Sequence, residues 1–286
     1  GSAWLLALGG VLAALAVQQG WGAAAIGLGR AVAGIGATLP TVGFAREVDH
    51  DVAPVALVSG AATVVATSVT VQSNTTHAFT GTGSLTITSS LLKNNGYRGI
   101  SWEGALSLTG STLEGNGGRP VSVNSGGGLA ALTGNTIQNN ADGTYVVGGV
   151  IASGNIVRAN GSGLNVDGSA NVQNNTFDGN RAWGLRVVAP TGTNNVIRGN
   201  TAINNSTDRG YGIGVALTGT AKVEISGNTV SANNNTNTAA GGGIYALAPA
   251  LTLASVLLLA TLVPLGGAPP LGFAGDLIVV TYVATT

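Results

Sequence analysis

Asn155-Ile156-Val157-Arg158-Ala159-Asn160 is the stretch whose reading decides the fold. It is a small polar residue, a spacer, an apolar residue, two more spacers and an Asn. The same phrase stands before it as Asn135-Thr136-Ile137-Gln138-Asn139-Asn140 and after it as Asn175-Thr176-Phe177-Asp178-Gly179-Asn180. Further out lie Ser90-Leu91-Leu92-Lys93-Asn94-Asn95 and Ser111-Thr112-Leu113-Glu114-Gly115-Asn116 on one side. Asn200-Thr201-Ala202-Ile203-Asn204-Asn205 and Asn228-Thr229-Val230-Ser231-Ala232-Asn233 lie on the other. The apolar anchors 92, 113, 137, 157, 177, 202 and 230 are separated by 21, 24, 20, 20, 25 and 28 residues. A period of this size means one structural unit per repeat, stacked on its neighbours.

A second half follows each phrase, as in Gly99-Ile100-Ser101-Trp102, Gly163-Leu164-Asn165-Val166 and Gly184-Leu185-Arg186-Val187. Apolar residues two apart mark a short strand with one buried face. Each repeat holds two or three short strands and polar turns, and buries its apolar face only by stacking. The expected fold is all-β, a right-handed parallel β-helix of about seven to nine coils, with apolar, partly helical terminal segments. Equivalent residues of successive coils then lie about 4.8 Å apart. Asn95, Asn116, Asn140, Asn160, Asn180, Asn205 and Asn233 form one structural column, and the leading Ser or Asn of each phrase forms a second. Stacked Asn amides bond to one another and to turn backbone, and Asn accepts the left-handed conformation of a tight corner.

Residues from about 84 to 247 resemble the right-handed parallel β-helix repeat family, the pectate-lyase-like superfamily. The resemblance rests on GNTIQNN, GNIVRANGSGLNV, NNTFDGNRAWGLRVV and GNTVSANNNTNTAAGGGIYAL. It implies the fold strongly and the function weakly. The same scaffold serves polysaccharide lyases, glycoside hydrolases, epimerases, adhesins and phage spikes.

The chain divides into an apolar segment 1–47, the β-helix 48–247 and an apolar segment 248–286. Between Ala3 and Phe44 the one charge is Arg30, and between Ala246 and Thr286 it is Asp276. Terminal coils expose core and strand edges, so such segments serve as caps, as contacts with other copies or a larger surface assembly, or as membrane contacts through 3–44 and 246–283. The apolar runs Ala3–Val17 and Leu251–Leu265 are shorter than a spanning helix. Across all 286 residues there are 11 basic and 11 acidic side chains, which argues against nucleic acid as a partner. With no Cys, disulfides and thiolate metal sites are excluded. The dense charge group Arg46-Glu47-Val48-Asp49-His50-Asp51 reads as a solvated loop rather than a metal site.

Polysaccharide cleavage on this scaffold would need carboxylates in register on one outward column. The position after each anchor holds Lys93, Glu114, Gln138, Arg158, Asp178, Ile203 and Ser231, so Lys93 with Glu114 and Arg158 with Asp178 are expected cross-coil ion pairs. A second outward column is read as Ser101, Ser122, Val146, Asn165, Arg186, Gly214 and Tyr245, with no acid in it. Asp167 and Glu103 lie in coils separated by two others. The best catalytic set is Asp178 with Arg158 and Arg186, against the plainer reading of a surface salt-bridge ladder. Trp183 is the candidate for stacking on a sugar. No cofactor and no metal is indicated. The expectation is an extracellular or cell-surface structural or adhesin-like protein that assembles through its apolar ends. A polysaccharide lyase or hydrolase, and a membrane-associated accessory subunit, are the alternatives.

Overall fold

A computed structural model describes residues 63–205, 211–233 and 242–248, with the strand pairing of Val42–Phe44, Ala56–Val58, Val256–Leu259 and Val279–Tyr282. All pairings are parallel, and no helix occurs among the described residues. The strands form a 16-stranded sheet and an 8-stranded sheet wrapped around one core.

Each coil starts with a three-residue strand of the smaller sheet, such as Ile156–Arg158 or Thr176–Asp178. Its central side chain points inward: Leu92, Leu113, Ile137, Val157, Phe177 and Ala202 are all buried. The chain then turns into the larger sheet. In the early coils this is one long strand bent in the middle, as in Phe79–Thr88, Ile100–Thr109 and Thr144–Ser153. The bend falls at Gly83, Gly104 and Gly148, whose φ values of 104°, 120° and 107° favour glycine. In later coils the bend opens and splits the strand, giving Leu185–Ala189 followed by Asn194–Arg198. A coil therefore has three faces, one from the small sheet and two from the limbs of the large one.

The terminal segments are described only where they form strands. Val256–Leu259 pairs with Lys222–Ser226, and Val279–Tyr282 with Ile244–Ala248, adding rungs to the large sheet. The cluster 46–51 lies outside the described residues, as do the candidate membrane stretches 3–44 and 246–283, and the helical content expected there, apart from these strands, Val42–Phe44 and 246–248. Among the described residues no helix is long and apolar enough to cross a membrane.

The corners carry the Asn columns. In the first, Asn95 Nδ2 donates to Asn116 Oδ1 at 2.9 Å, and Asn116 donates to Asn140 at 2.9 Å. The chain runs on through Asn160, Asn180 and Asn205 to Asn233. Asn74 precedes Asn95 in the same line. Each Oδ1 also accepts the backbone N–H of the preceding member, as Asn160 does from Asn140 at 3.0 Å. The second Nδ2 hydrogen reaches back to the backbone of the preceding coil, as from Asn160 to Ile137 O at 2.9 Å. The second column runs Ser90, Ser111, Asn135, Asn155, Asn175, Asn200 and Asn228 with the same geometry once it becomes Asn.

One detail differs from the sequence reading. The left-handed residue is the one before the column Asn, as in Asn94, Asn139, Ala159, Asn204 and Ala232, with φ between 52° and 56°. The column Asn keeps an ordinary φ and spends its amide on neighbouring coils. A third, shorter device is Asn195, which accepts from Ala170 N at 2.8 Å and donates to Lys222 O at 2.8 Å.

Candidate lateral binding face

The first limbs of the large sheet build the face with the densest chemistry. Their outward register is Ser101, Ser122, Tyr145, Asn165, Arg186, Gly214 and Tyr245. Tyr145, not Val146, occupies the third place. Val146 is fully buried, and a one-residue slip moves a side chain to the opposite face. That repeat, like Val121–Val123, lacks the leading Gly, and here three consecutive β-formers leave the phase open.

With Tyr145 outward, a network spans several coils. The Tyr145 hydroxyl donates to Asp167 Oδ2 at 2.5 Å. Arg186 Nη1 donates to Asp167 Oδ1 at 3.2 Å, an ion pair with both side chains about one-third exposed. The Arg119 guanidinium lies 4.3 Å from the centre of the Tyr145 ring, and its Nε meets Asp142 Oδ2 at 3.2 Å. The hydrogen bond to Asp167, followed by burial, raises the Tyr145 pKa above the usual phenol value, against the pull of Arg119 and Arg186. The site thus sets a phenol that stays neutral at neutral pH beside the Asp167 carboxyl group, engaged on both oxygens, and two arginine side chains.

Next to it stands an aromatic tier. Trp183 meets Tyr211 with ring centres 5.2 Å apart, and Tyr211 stacks on Tyr245 at 4.7 Å and 18°. Gly214 lies under the Trp183 ring: a Cβ there would approach Trp183 Cζ3 to 2.7 Å. Trp183 is half-buried between these neighbours and solvent.

Residues 79–249 match the family model described as the right handed beta helix region. The chain belongs to the right-handed β-helix family. No curated protein and no solved structure matches it at a significant level.

On this β-helix the sequence-derived site residues fall on two faces. Asp178 and Arg158 are opposite one another on the small sheet, in adjacent coils. Arg186 is on the large sheet with Asp167, so the proposed trio is not brought together. Arg158 turns away from Asp178 and gives Nε and Nη2 to Gln138 Oε1 at 2.9 and 2.7 Å, while Asp178 accepts from Asn204 at 3.0 Å. Lys93 and Glu114 face each other in register without an ion pair. The sequence reading missed Tyr145, Asp167 and Arg119 as partners, because their contacts depend on register and on turn residues of variable spacing. Among the described residues no group of three potential metal ligands exists. An internal void of about 10 Å³, lined by Leu132, Ile137, Val157 and Phe177 among others, holds one water at most.

Proposed function

We propose that this β-helix is a non-catalytic structural or adhesin-like surface protein. It works outside the cell, presents its lateral face to a partner, and joins a larger assembly through its apolar ends. The observation that carries this reading is the placement of acids. Asp167 shares its outward column with Glu103, but Asn124 and Val147 stand between them. Three coil steps separate the two by roughly 14 Å. Glycoside hydrolysis requires carboxyl groups about 5–5.5 Å or about 6.5–9.5 Å apart. Asp167 is further committed to Tyr145 and Arg186, and Asp142 to Arg119. A surface that binds saccharide hydroxyls and ring faces without cleaving them fits this arrangement: aromatic rings, a carboxylate and guanidinium groups in one strip.

The second reading, a polysaccharide lyase or hydrolase, draws on the same Tyr145–Asp167–Arg186 contact, where a phenol and a cation flank an acid. Incubation with acidic and neutral polysaccharides separates the two. The expected result is retention of chain length. Release of unsaturated or reducing ends, abolished in Asp167→Asn, would replace the structural reading with the enzymatic one. Recovery of the protein only in detergent would instead favour the membrane-associated reading.

A further inference from the structure

The small sheet carries an ordered charge pattern along its outer surface. One outward column reads Lys93, Glu114, Gln138, Arg158, Asp178 in consecutive coils, each in direct register with the next. Its signs are plus, minus, neutral, plus, minus. Read backwards, every charge meets its opposite, and Gln138 meets itself. The parallel column beside it reads Leu91, Thr112, Thr136, Ile156, Thr176. Reversal there places each aliphatic residue opposite a Thr, and Thr136 opposite itself.

We infer that this face docks on the same face of a second copy, with the two rods antiparallel. The symmetry is a two-fold axis running along the strand direction at the level of Gln138. That operation reverses the coil order and keeps each column opposite its own copy. Lys93 then faces Asp178 of the second copy, Glu114 faces Arg158, and each contact occurs twice, as an isologous interface requires. The other face-to-face arrangement, with rods parallel, sets the charged column against the Thr and aliphatic column and gains no charge pair. Charge order therefore selects the antiparallel one.

Two further observations support the match. The opposite charges that adjoin within this column do not pair with each other, whereas Arg119–Asp142, Arg186–Asp167 and Arg198–Glu224 on the other faces do. Ile156 is 43 % exposed, a large apolar side chain in the middle of the patch. Opposed sheets pack about 10 Å apart, within reach of two long charged side chains. The sheet has eight strands, and with its flanking corners covers on the order of 500 Å² per partner. That is below the roughly 800 Å² typical of a stable complex, so the pair is weak and salt-sensitive. The inference does not depend on the surface-protein reading.

The test is sedimentation velocity of the full chain at low and high salt, up to about 1 mM. The expected result is a dimer at low salt that dissociates as salt rises. Lys93→Asp and Asp178→Lys each create two like-charge contacts and weaken the dimer about tenfold or more. The double variant Lys93→Asp/Asp178→Lys exchanges the signs and restores it. In a chain without cysteine, Gln138→Cys places one thiol of each copy beside the axis, and a short bis-maleimide, adding one thiol to each end, then joins two chains. A monomer at low salt would overturn the inference. So would oligomers indifferent to both single variants, or a double variant that fails to recover. Oligomers indifferent to these changes would leave end-to-end assembly standing.

Discussion

At the scale of the single residue, the column Asn is the structural decision-maker. Asn160 is fully buried, accepts two N–H groups of Asn140 and donates to Ile137 O and Asn180 Oδ1. Asn160→Ala strands donors on one side and acceptors on the other. At about 1–3 kcal/mol for each buried unsatisfied group, the expected loss is roughly 3–5 kcal/mol. Asn160→Asp keeps the shape but aims a carboxylate at two acceptors, and should be at least as damaging. Asn233→Ala, at the last described position of the column and only half-buried, should cost about 1 kcal/mol. Urea midpoints of the three variants give the comparison, and equal losses at 160 and 233 would contradict it.

Two side chains supply pH dependence of opposite sense. Burial first, then Arg98, lowers the His77 pKa, and its ring stands edge-on to Tyr97 at 5.3 Å. Stability linked to neutral His77 is complete above the unfolded value of about 6.5 and is lost as pH falls through the lower folded value. Its NMR titration midpoint should lie below about 6.5. For Tyr145 the folded pKa is raised. That contribution is complete below about 10 and is lost as pH climbs through the folded value. Tyr145→Phe should remove this alkaline step from the unfolding profile and leave the acidic one unchanged.

Among the elements, the small sheet was the most legible from sequence. Its strands repeat one short phrase with an apolar centre, and both neighbouring corners repeat a polar residue. Any residue inside that phrase has a fixed place, as Val157 and Phe177 show. The large sheet was less legible. Its bends replace turns with single glycines inside one strand, so Ile100–Thr109 reads as two strands with a break. Its outer face was legible only in part, since Tyr145 and Val146 satisfy the same pattern and the Trp183–Tyr211 contact joins two turns of unrelated length. The bends make a clear prediction. Gly104→Ala combines φ of 120° with a Cβ 2.2 Å from Gly83 O, a backbone atom that cannot yield. It should destabilise by about 2–4 kcal/mol. Gly214→Ala has an ordinary φ, and its clash is with a side chain. It should cost about 1–3 kcal/mol and tilt the indole, changing near-ultraviolet circular dichroism more than the unfolding midpoint.

For the whole molecule, the solenoid behaves as a nearly one-dimensional stack in which each coil touches only its neighbours. Removing residues 156–175 splices Asn155 to Thr176, a cut of one 20-residue period. Asn155 then occupies the place of Asn175, and Asn140 meets Asn180. The shortened chain should fold with an unchanged β-type circular dichroism spectrum and a lower unfolding midpoint. Loss of the folded state would mean that the coils are not interchangeable units. Amide hydrogen exchange should be slowest in the middle coils around Val157 and Phe177 and faster toward either end.

The Asn columns also give the rod a direction. In every link, from Asn74 to Asn233 and from Asn135 to Asn228, the amide N–H of one side chain points to the carbonyl oxygen of the next coil toward the C-terminus. The backbone bonds between coils run both ways and largely cancel, as Leu91 N to Val69 O and Phe79 N to Gly99 O illustrate. The side-chain amides do not cancel. Their dipoles add along the axis, positive toward the C-terminal end, much as peptide dipoles add along a helix. The N-terminal end of each column thus offers acceptors and the other end donors. Two rods meeting head to tail would continue both lines as one array of aligned amide dipoles, while two lying side by side in opposite directions would form an antiferroelectric pair with no net moment.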